Sequence, residues 1–321
     1  MDPPSVHVVI VNWNSGRQLA ECLQSFAAVE GDGVTVARVA VVDNSSSDGS
    51  CDGLPATPSL PLVIIRNQEN RGFAAACNQG AAGSGADFLL FLNPDTRLLP
   101  GALERPARYL QSPANAAVGI VGIQLVDGNG QVARHCARTP TPSSMIGNSI
   151  GLDRLMPPLF PPHFLAEWAH DETRTVDQVI GAFMLVRRPL FEALGGFDER
   201  FFVYFEDLDF AQRARARGCS SVYLATAQAF HRGQGTTVSA IDQRTYQFCR
   251  SRILFALKYF SPAKAFLVIG ATLVIEPIAR LLQALSSRRP GTGADVLRAL
   301  VLLWSDMPAI LRTHRALLQN K

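Results

Sequence analysis

The chain has 321 residues, of which 47% are hydrophobic and 18% charged, which excludes a small or disordered protein and is ample for one large core with or without an appendage. The net charge of +3 is unevenly spread: residues 1–243 carry 18 basic against 24 acidic side chains, residues 244–321 carry 12 against 3. A basic, apolar tail on an acidic body points to an anionic surface, and without a recognised nucleic-acid motif that surface is expected to be a membrane and not nucleic acid.

Six cysteines, at 22, 51, 77, 136, 219 and 249, form no CxxC pair and no metal-ligand spacing. They read as reduced thiols of a cytosolic protein. Met1-Asp2-Pro3-Pro4 lacks the basic start of a signal peptide.

Val6 to Val11 is a β-branched, apolar first strand, ending in the polar turn Asn12-Trp13-Asn14-Ser15-Gly16. From Arg17 to Ala28 the residues Leu19, Cys22, Leu23 and Phe26 recur at helical spacing. Val36 to Val42 and Leu62 to Arg66 are the next strands. The former closes at Asp43-Asn44-Ser45-Ser46-Ser47-Asp48-Gly49-Ser50, the latter at Asn67 to Gly72. Phe73 to Gly83 is an alanine-rich helix. Then Phe88-Leu89-Leu90-Phe91-Leu92 reads as a strand buried on both faces of a parallel sheet, stopped by Asn93-Pro94. Strands alternating with helices at this rhythm predict βαβ units.

In such sheets ligands bind beyond the carboxyl ends of the strands. Asp43 and Asp95 both stand there. Asp43 can accept hydrogen bonds from a nucleobase or ribose, or close an Asx-turn, the reading preferred for Asp48. Asp95 can hold a divalent cation against a diphosphate, or cap the turn. Arg71 can meet a phosphate or stand solvated in its loop.

Residues 101–115 are expected as a surface helix, Val118 to Val126 as a strand, and Asp127-Gly128-Asn129-Gly130 as a hairpin turn. The proline-rich stretch from Arg138 to Glu172 is too long for an ordinary connector and is expected to be an acceptor-facing lid. Val179 to Val186 reads as a strand interrupted by Gly181-Ala182, where a glycine signals close approach of a ligand. After a short helix, Pro189 to Leu194, comes Glu206-Asp207-Leu208-Asp209: three acids in four positions, behind an aromatic run and at a helix start. Acids favour that end of a helix for structural reasons, and an aromatic wall can also tune one as a general base. Val222 to Phe230 is the last strand, leading to His231-Arg232-Gly233-Gln234-Gly235-Thr236; His231 can be a metal ligand.

A helical tail starts near Ile241. Ser261-Pro262 is a helix start, and Ala265 to Ile275 is apolar but only eleven residues long, followed by Glu276, Pro277 and Arg280. That is expected to be too short to span a membrane. A second helix is expected over Asp295 to Leu318. The pair reads as an amphipathic membrane-surface anchor, with an oligomer interface as the alternative.

The blocks Val9-Ile10-Val11-Asn12-Trp13-Asn14, Val41 to Ser50, Asn70-Arg71-Gly72-Phe73-Ala74, Leu92-Asn93-Pro94-Asp95, Gly181-Ala182, Glu206-Asp207-Leu208-Asp209 and His231 resemble, in order, the family 2 glycosyltransferases of the GT-A fold, in their rhamnosyltransferase-like branch. The resemblance covers residues 6–235. It implies a Rossmann-like, mostly parallel sheet flanked by helices over residues 1–240, with residues 241–321 as a helical appendage. It implies inverting transfer, assisted by Mg²⁺ or Mn²⁺, from a nucleotide-sugar donor such as dTDP-rhamnose. The acceptor is expected to be a glycan or lipid-linked hydroxyl in cell-envelope polysaccharide synthesis. The expected location is the cytoplasm, at the inner leaflet of the plasma membrane, with a homodimer as the tail's other role.

Carried over by position, Asp207 would be the general base, with Glu206 and Asp209 as alternatives. Asp95 would bind metal, supplemented by His231. Asn12, Asp43, Asn70, Arg71, Gly72, Asn93 and Gly181 would line the donor site. The family's first metal-site acid is replaced here by Asn93, which leaves one carboxylate for the ion. That departure keeps a second reading open, a non-catalytic nucleotide-sugar-binding scaffold. A nucleotidyltransferase is disfavoured, because no Gly-rich loop with a lysine lies near the first strand.

Overall fold

The computed structural model describes residues 3–31, 33–54, 60–233, 241–287 and 292–319. Gln234-Gly235-Thr236, part of the expected loop after His231, lies outside them. The chain divides into two compact units. A sheet unit comprises Met1–Arg138, Phe164–Glu199 and Glu206–Thr236; a helical unit comprises Thr139–His163, Arg200–Phe205 and Thr237–Lys321. The expected boundary at residue 240 therefore omits two short segments that belong to the helical unit by packing, which local sequence pattern does not report.

Among the described residues of the sheet unit, nine strands form one sheet: β1 (Ser5–Asn12), β2 (Thr35–Asp43), β3 (Leu62–Arg66), β4 (Phe88–Leu92), β5 (Thr96–Leu98), β6 (Val118–Val126), β7 (Arg174–Val176), β8 (Phe183–Arg187) and β9 (Ser220–His231). Their order is β3-β2-β1-β4-β8-β6-β9-β5, with β7 beside β9. Strands β1 to β4 pair in parallel, as the βαβ rhythm predicts. Strand β8 runs antiparallel between β4 and β6. Its first residue, Phe183, faces Leu92, so the turn before β8 meets the end of β4. This corrects the expected position of Gly181-Ala182, which precede the strand and do not interrupt it.

Alternation along the strands explains the two-sided core. Val6, Val8, Ile10, Leu90 and Leu92 join one apolar cluster with Leu19, Leu23 and Phe26, while Val9, Val11, Leu89 and Phe91 join the other with Ala74, Ala76 and Phe210. Period-2 side chains on a central strand must fill both layers, and the run Phe88–Leu92 does so.

The helices of this unit are α1 (Gln18–Gln24), α2 (Phe73–Ala81) and α3 (Glu104–Gln111), then α6 (Arg188–Ala193) and α7 (Glu206–Ala216). The alanines of α2 permit a close approach to the sheet. A Cβ on Gly80 would stand 2.5 Å from a Val9 methyl, so this helix position admits only glycine without repacking. Strands β5 and β7 escape sequence reading because three residues carry too little alternation; each exists by pairing antiparallel with β9.

The helical unit contains α4 (Pro142–Ile150), α5 (Leu152–Leu155), α8 (Ile241–Tyr259), α9 (Pro262–Gly270), α10 (Glu276–Ser287) and α11 (Thr292–Gln319). The expected lid is thus not one long loop. Thr141 and Ser144 form a capping box with proline in the first turn of α4, and Gly151 ends that helix in the left-handed region.

The apolar run after Ser261 is also longer than expected. A π-helical turn, Ala271–Ile275, joins α9 to α10 just before Pro277. Glu276 is buried and its charge is paired with Arg252 of α8 and with Arg280, the latter at 2.7 Å. Pro262–Ala284 is therefore a 23-residue helix, long and apolar enough to cross a membrane by length and composition. Tyr246 and Arg250 of α8 bind Asp306 of α11 at 3.0 and 2.7 Å.

Within the same unit, Tyr204 and Phe205 both adopt positive φ, +66° and +68°. Side chains with a Cβ pay about 1–2 kcal/mol each for that conformation. Phe205 packs 5.4 and 5.5 Å from the rings of Phe248 and Phe255 on α8, and Ser251 donates to the Val203 carbonyl at 2.8 Å. These contacts hold the strained pair in place.

Candidate active site

Three groups of polar residues gather at the edge of the sheet where β1 to β4 end. The first surrounds Asp43, the last residue of β2, which is 5% exposed. Asn12, at the end of β1, donates to Asp43 Oδ1 at 3.0 Å, lies 2.9 Å from Ser50 Oγ, and accepts from Ser15. The amide of Asn12 is fully buried and thereby sets the carboxylate of Asp43 in position.

Asn44 ties the neighbouring loops together, donating to the Gly72 carbonyl at 3.0 Å and accepting from Asn67 at 2.9 Å. Asn70 accepts from the Gly72 N–H at 2.9 Å. Gly72 has φ +84° and leads into α2, a conformation that favours glycine. Arg71 is exposed on this rim. Asp48 accepts from Gly16 N–H at 2.8 Å and Ser50 N–H at 2.9 Å, which agrees with the turn reading of that residue.

The second group centres on Asp95. The Asn93-Pro94-Asp95 turn links β4 to β5. The Asn93 N–H donates to the Ala182 carbonyl at 3.1 Å, and Thr96 Oγ1 donates to the same carbonyl at 3.2 Å. Thr96 also faces His231 in the β5–β9 ladder. His231 Nε2 lies 3.2 Å from Asp95 Oδ1, and the N–H of Arg232 donates to the Asp95 carbonyl at 3.2 Å. Asp95 and His231 thus sit side by side, although 136 positions separate them in sequence.

The donor set fits a hard divalent ion. Ligands about 2.1 Å from an octahedral ion and at right angles are about 3 Å apart, close to the separation seen here. Such ions typically take one or two protein ligands and complete their shell with phosphate oxygens and water. Among the described residues no group of three or more His, Cys, Asp or Glu is placed to hold a metal ion. His135, buried nearby with its pKa pushed down to about 4 by burial, adds no positive charge against a cation.

The third group is the first turn of α7. Asp207 Oδ2 accepts from the Gly181 N–H at 3.2 Å, and Oδ1 accepts from Leu208 N–H at 2.8 Å. Burial raises the Asp207 pKa, and the N–H groups of Leu208 and Gly181 oppose the rise.

Glu206 is more deeply placed. Burial, then the charge of Asp207, lifts its pKa well above the carboxylate range, and its Oε2 has no hydrogen-bond partner. Both pKa values are raised, and the Gly181 and Leu208 N–H groups that oppose the rise belong to Asp207. Asp209 is fully buried and paired with Arg213 at 2.7 Å; Arg213 in turn donates to the carbonyls of Leu194 and Gly196, both at 2.9 Å. Asp209 therefore braces a turn.

One dipeptide connects the second and third groups. The Gly181 N–H holds Asp207, and the Ala182 carbonyl holds the Asn93–Thr96 turn that carries Asp95. Residues 178–182 carry no titratable side chain, so the part played by the Ala182 carbonyl was invisible to sequence reading. Asn44 and Asn67 lay inside matched or flanking loops, but only their side-chain bonds reveal the bracing.

The sheet order, with its central antiparallel strand, and this edge of converging acids are those of a GT-A glycosyltransferase. Solved structures agree in fold. The mannosyltransferase PcManGT from Pyrobaculum calidifontis, in complex with GDP-Man and Mn²⁺, aligns with a TM-score of 0.54 at 18% identity, over 98% of this chain and 86% of that one. TarS residues 1–349 from S. aureus align at 0.52 and 15% identity, over 97% and 87%. The chain matches the profile of glycosyl transferase family 2 over residues 7–195, and it belongs to that family. An N-acetylglucosaminyl-diphospho-decaprenol L-rhamnosyltransferase of Mycobacterium tuberculosis is 28% identical over 269 residues, covering 76% of this chain and 84% of the relative.

Proposed function

We propose that this glycosyltransferase moves rhamnose, with inversion, from dTDP-rhamnose to a hydroxyl of a polyprenyl-diphosphate-linked or glycan acceptor in cell-envelope polysaccharide synthesis. The observation that carries the transfer is the Gly181-Ala182 dipeptide, which touches the setting of both Asp207 and Asp95. The name of the mycobacterial relative supports the sugar and the lipid-linked acceptor.

In this reading Asp207 takes the proton of the attacking hydroxyl as the new bond to the anomeric carbon forms. Glu206 is buried with no partner for its Oε2, which leaves the more accessible Asp207 as the acceptor of that proton. Asp43 accepts hydrogen bonds from the base or ribose, set by Asn12, while Asn70, Arg71, Gly72, Asn93 and Gly181 line the donor. Asp95 and His231 would hold Mg²⁺ or Mn²⁺, which when bound supplies Lewis-acid stabilisation of the leaving diphosphate.

Incubating the full chain with a panel of nucleotide sugars, Mn²⁺ and a polyprenyl-diphospho-N-acetylglucosamine acceptor tests the transfer. Release of dTDP from dTDP-rhamnose is expected, and no nucleoside diphosphate from any donor would overturn it. Replacement of the usual first acid by Asn93 favours one competing reading, a donor-binding scaffold; calorimetric donor binding without metal dependence or turnover would select it.

The tail supports a position on the cytoplasmic face of a membrane. Leu267, Val274, Ile278 and Leu282 lie exposed along one stripe of the Pro262–Ala284 helix, and Leu297, Val301, Trp304 and Leu311 along one stripe of α11. Apolar stripes with a basic excess suit an anionic bilayer surface. The Glu276–Arg252 pair ties the long helix to α8, which favours lying on the membrane over crossing it. Co-sedimentation with phosphatidylglycerol vesicles, weakening as salt rises from about 0.05 to 0.5 M, is the expected result. Equal recovery with neutral vesicles, or a concentration-dependent dimer without vesicle binding, would sink it.

A further inference from the structure

We propose that the proline-rich turn Leu155–Leu159 of the helical unit is a wedge that dips into an anionic bilayer, a second membrane contact besides the tail helices. The inference extends the membrane position proposed above to a segment far from the tail in sequence.

Leu155-Met156-Pro157-Pro158-Leu159 is an unbroken run of apolar residues, all of them exposed. Leu155 is 78%, Met156 44% and Leu159 61% exposed. Apolar side chains scattered singly on a surface are ordinary, but a continuous exposed run calls for a partner. The run is not a loose loop. Phe160, which follows it, is seated on α4, where a Cβ on Gly147 would stand 2.5 Å from the Phe160 Cβ. Helix α4 in turn packs against α9, the π-helical turn and α10. The turn is therefore carried by the same long helix that exposes Leu267, Val274, Ile278 and Leu282.

The backbone of the turn says which partner it suits. The Met156 N–H donates to the Leu152 carbonyl at 2.8 Å, and the N–H groups of Leu159 and Phe160 both donate to the Met156 carbonyl at 3.0 Å. Pro157 and Pro158 have no N–H. From Met156 to Phe160, then, every backbone donor is either satisfied within the turn or missing. A bilayer interior offers no water to a free N–H, so only a segment that satisfies or lacks its own donors can enter it. A protein partner sets no such condition, because it can bring acceptors of its own. Arg154, exposed at the head of the run, suits the phosphates of an anionic headgroup layer. The excess of 12 basic over 3 acidic side chains in residues 244–321 draws the chain to the same kind of surface.

The test uses the full chain with Leu159→Cys carrying an NBD fluorophore. The native cysteines are buried except Cys219, which is half-buried, and a labelled wild type sets their background. A second protein carries the label at Val301→Cys, in the exposed stripe of α11. With phosphatidylglycerol vesicles, the emission of the Leu159 label is expected to shift to the blue and to be quenched by nitroxide on the lipid acyl chains. Leu155→Ser combined with Leu159→Ser leaves the seat of Phe160 intact. It is expected to lower vesicle partitioning about tenfold or more, with an unchanged Tm.

A Leu159 label that stays in water while the Val301 label enters the lipid would overturn the wedge and leave the tail on the membrane. The reverse pattern would support the wedge and remove the tail from the membrane. Wild-type partitioning by the double serine variant would overturn the wedge, and a wild type that binds no vesicles would overturn both. A concentration-dependent dimer, lost in the double serine variant and formed without vesicle binding, would assign the turn to a second copy of the chain and overturn the wedge as well.

Discussion

Asp207→Asn is expected to lower kcat by about 10²- to 10⁴-fold, the usual range for loss of a positioned general base. Nucleotide binding, read by calorimetry with dTDP and Mn²⁺, should persist, because Asp43 and Asp95 belong to other turns. The same substitution has a stability signature. The pKa of Asp207 is raised in the fold by burial. A carboxylate whose native pKa exceeds its unfolded value binds its proton more tightly when folded, so stability falls as pH rises from the unfolded pKa, about 4, to the native one. Asparagine removes that contribution. The stability of the variant, measured by urea titration, should therefore decline less steeply over this window than that of wild type. Glu206 retains its own share of the slope, since its pKa is raised as well. Full turnover in Asp207→Asn would remove the residue from the mechanism. An unchanged stability slope would instead mean that its carboxylate is better solvated than its surroundings indicate.

The parallel half of the sheet was legible because each of its strands is a run of apolar residues closed by turn-forming ones. The run Phe88–Leu92, buried on both faces, also located Asp95 correctly at a strand end. The antiparallel half was less legible. Strands of three residues, such as Thr96–Leu98, carry no period, and the true start of β8 depends on its pairing with β4. The acids were visible as residue types, but their division of labour was not. Asp209 and Asp207 are two positions apart in one helical turn, yet Asp209 is occupied by Arg213 while Asp207 meets the Gly181 N–H. Which acid is spoken for depends on partners distant in sequence. The apolar span through Pro277 was underestimated because Glu276, Pro277 and Arg280 interrupt the apolar run in sequence, whereas here Glu276 is buried in an ion pair with Arg280 and the helix continues past Pro277.

Asp95→Ala should separate the metal station from the nucleotide station. Asp95 and His231, the proposed ligands, lie 3.2 Å apart, and no third His, Cys, Asp or Glu joins them in a possible metal site among the described residues. Removing the carboxylate leaves one imidazole, a weak site for a hard ion that prefers oxygen. Loss of Lewis-acid stabilisation worth about 3 kcal/mol corresponds to about a 10²-fold fall in kcat/KM, and the Mn²⁺ concentration for half-maximal rate should rise as well. The fold should tolerate the change. The turn is fixed by backbone contacts that alanine preserves, from Arg232 N–H to the Asp95 carbonyl and from Asn93 N–H to Ala182. dTDP binding measured without metal should stay at the wild-type value, because Asn12 still orients Asp43. An enzyme whose wild-type turnover survived exhaustive chelation, with Asp95→Ala equally active, would assign the Asp95–His231 pair to bracing β5 against β9. If metal-free dTDP binding collapsed in the variant, the two stations would be one coupled unit, and the carboxylate of Asp95 would be holding the donor loop itself.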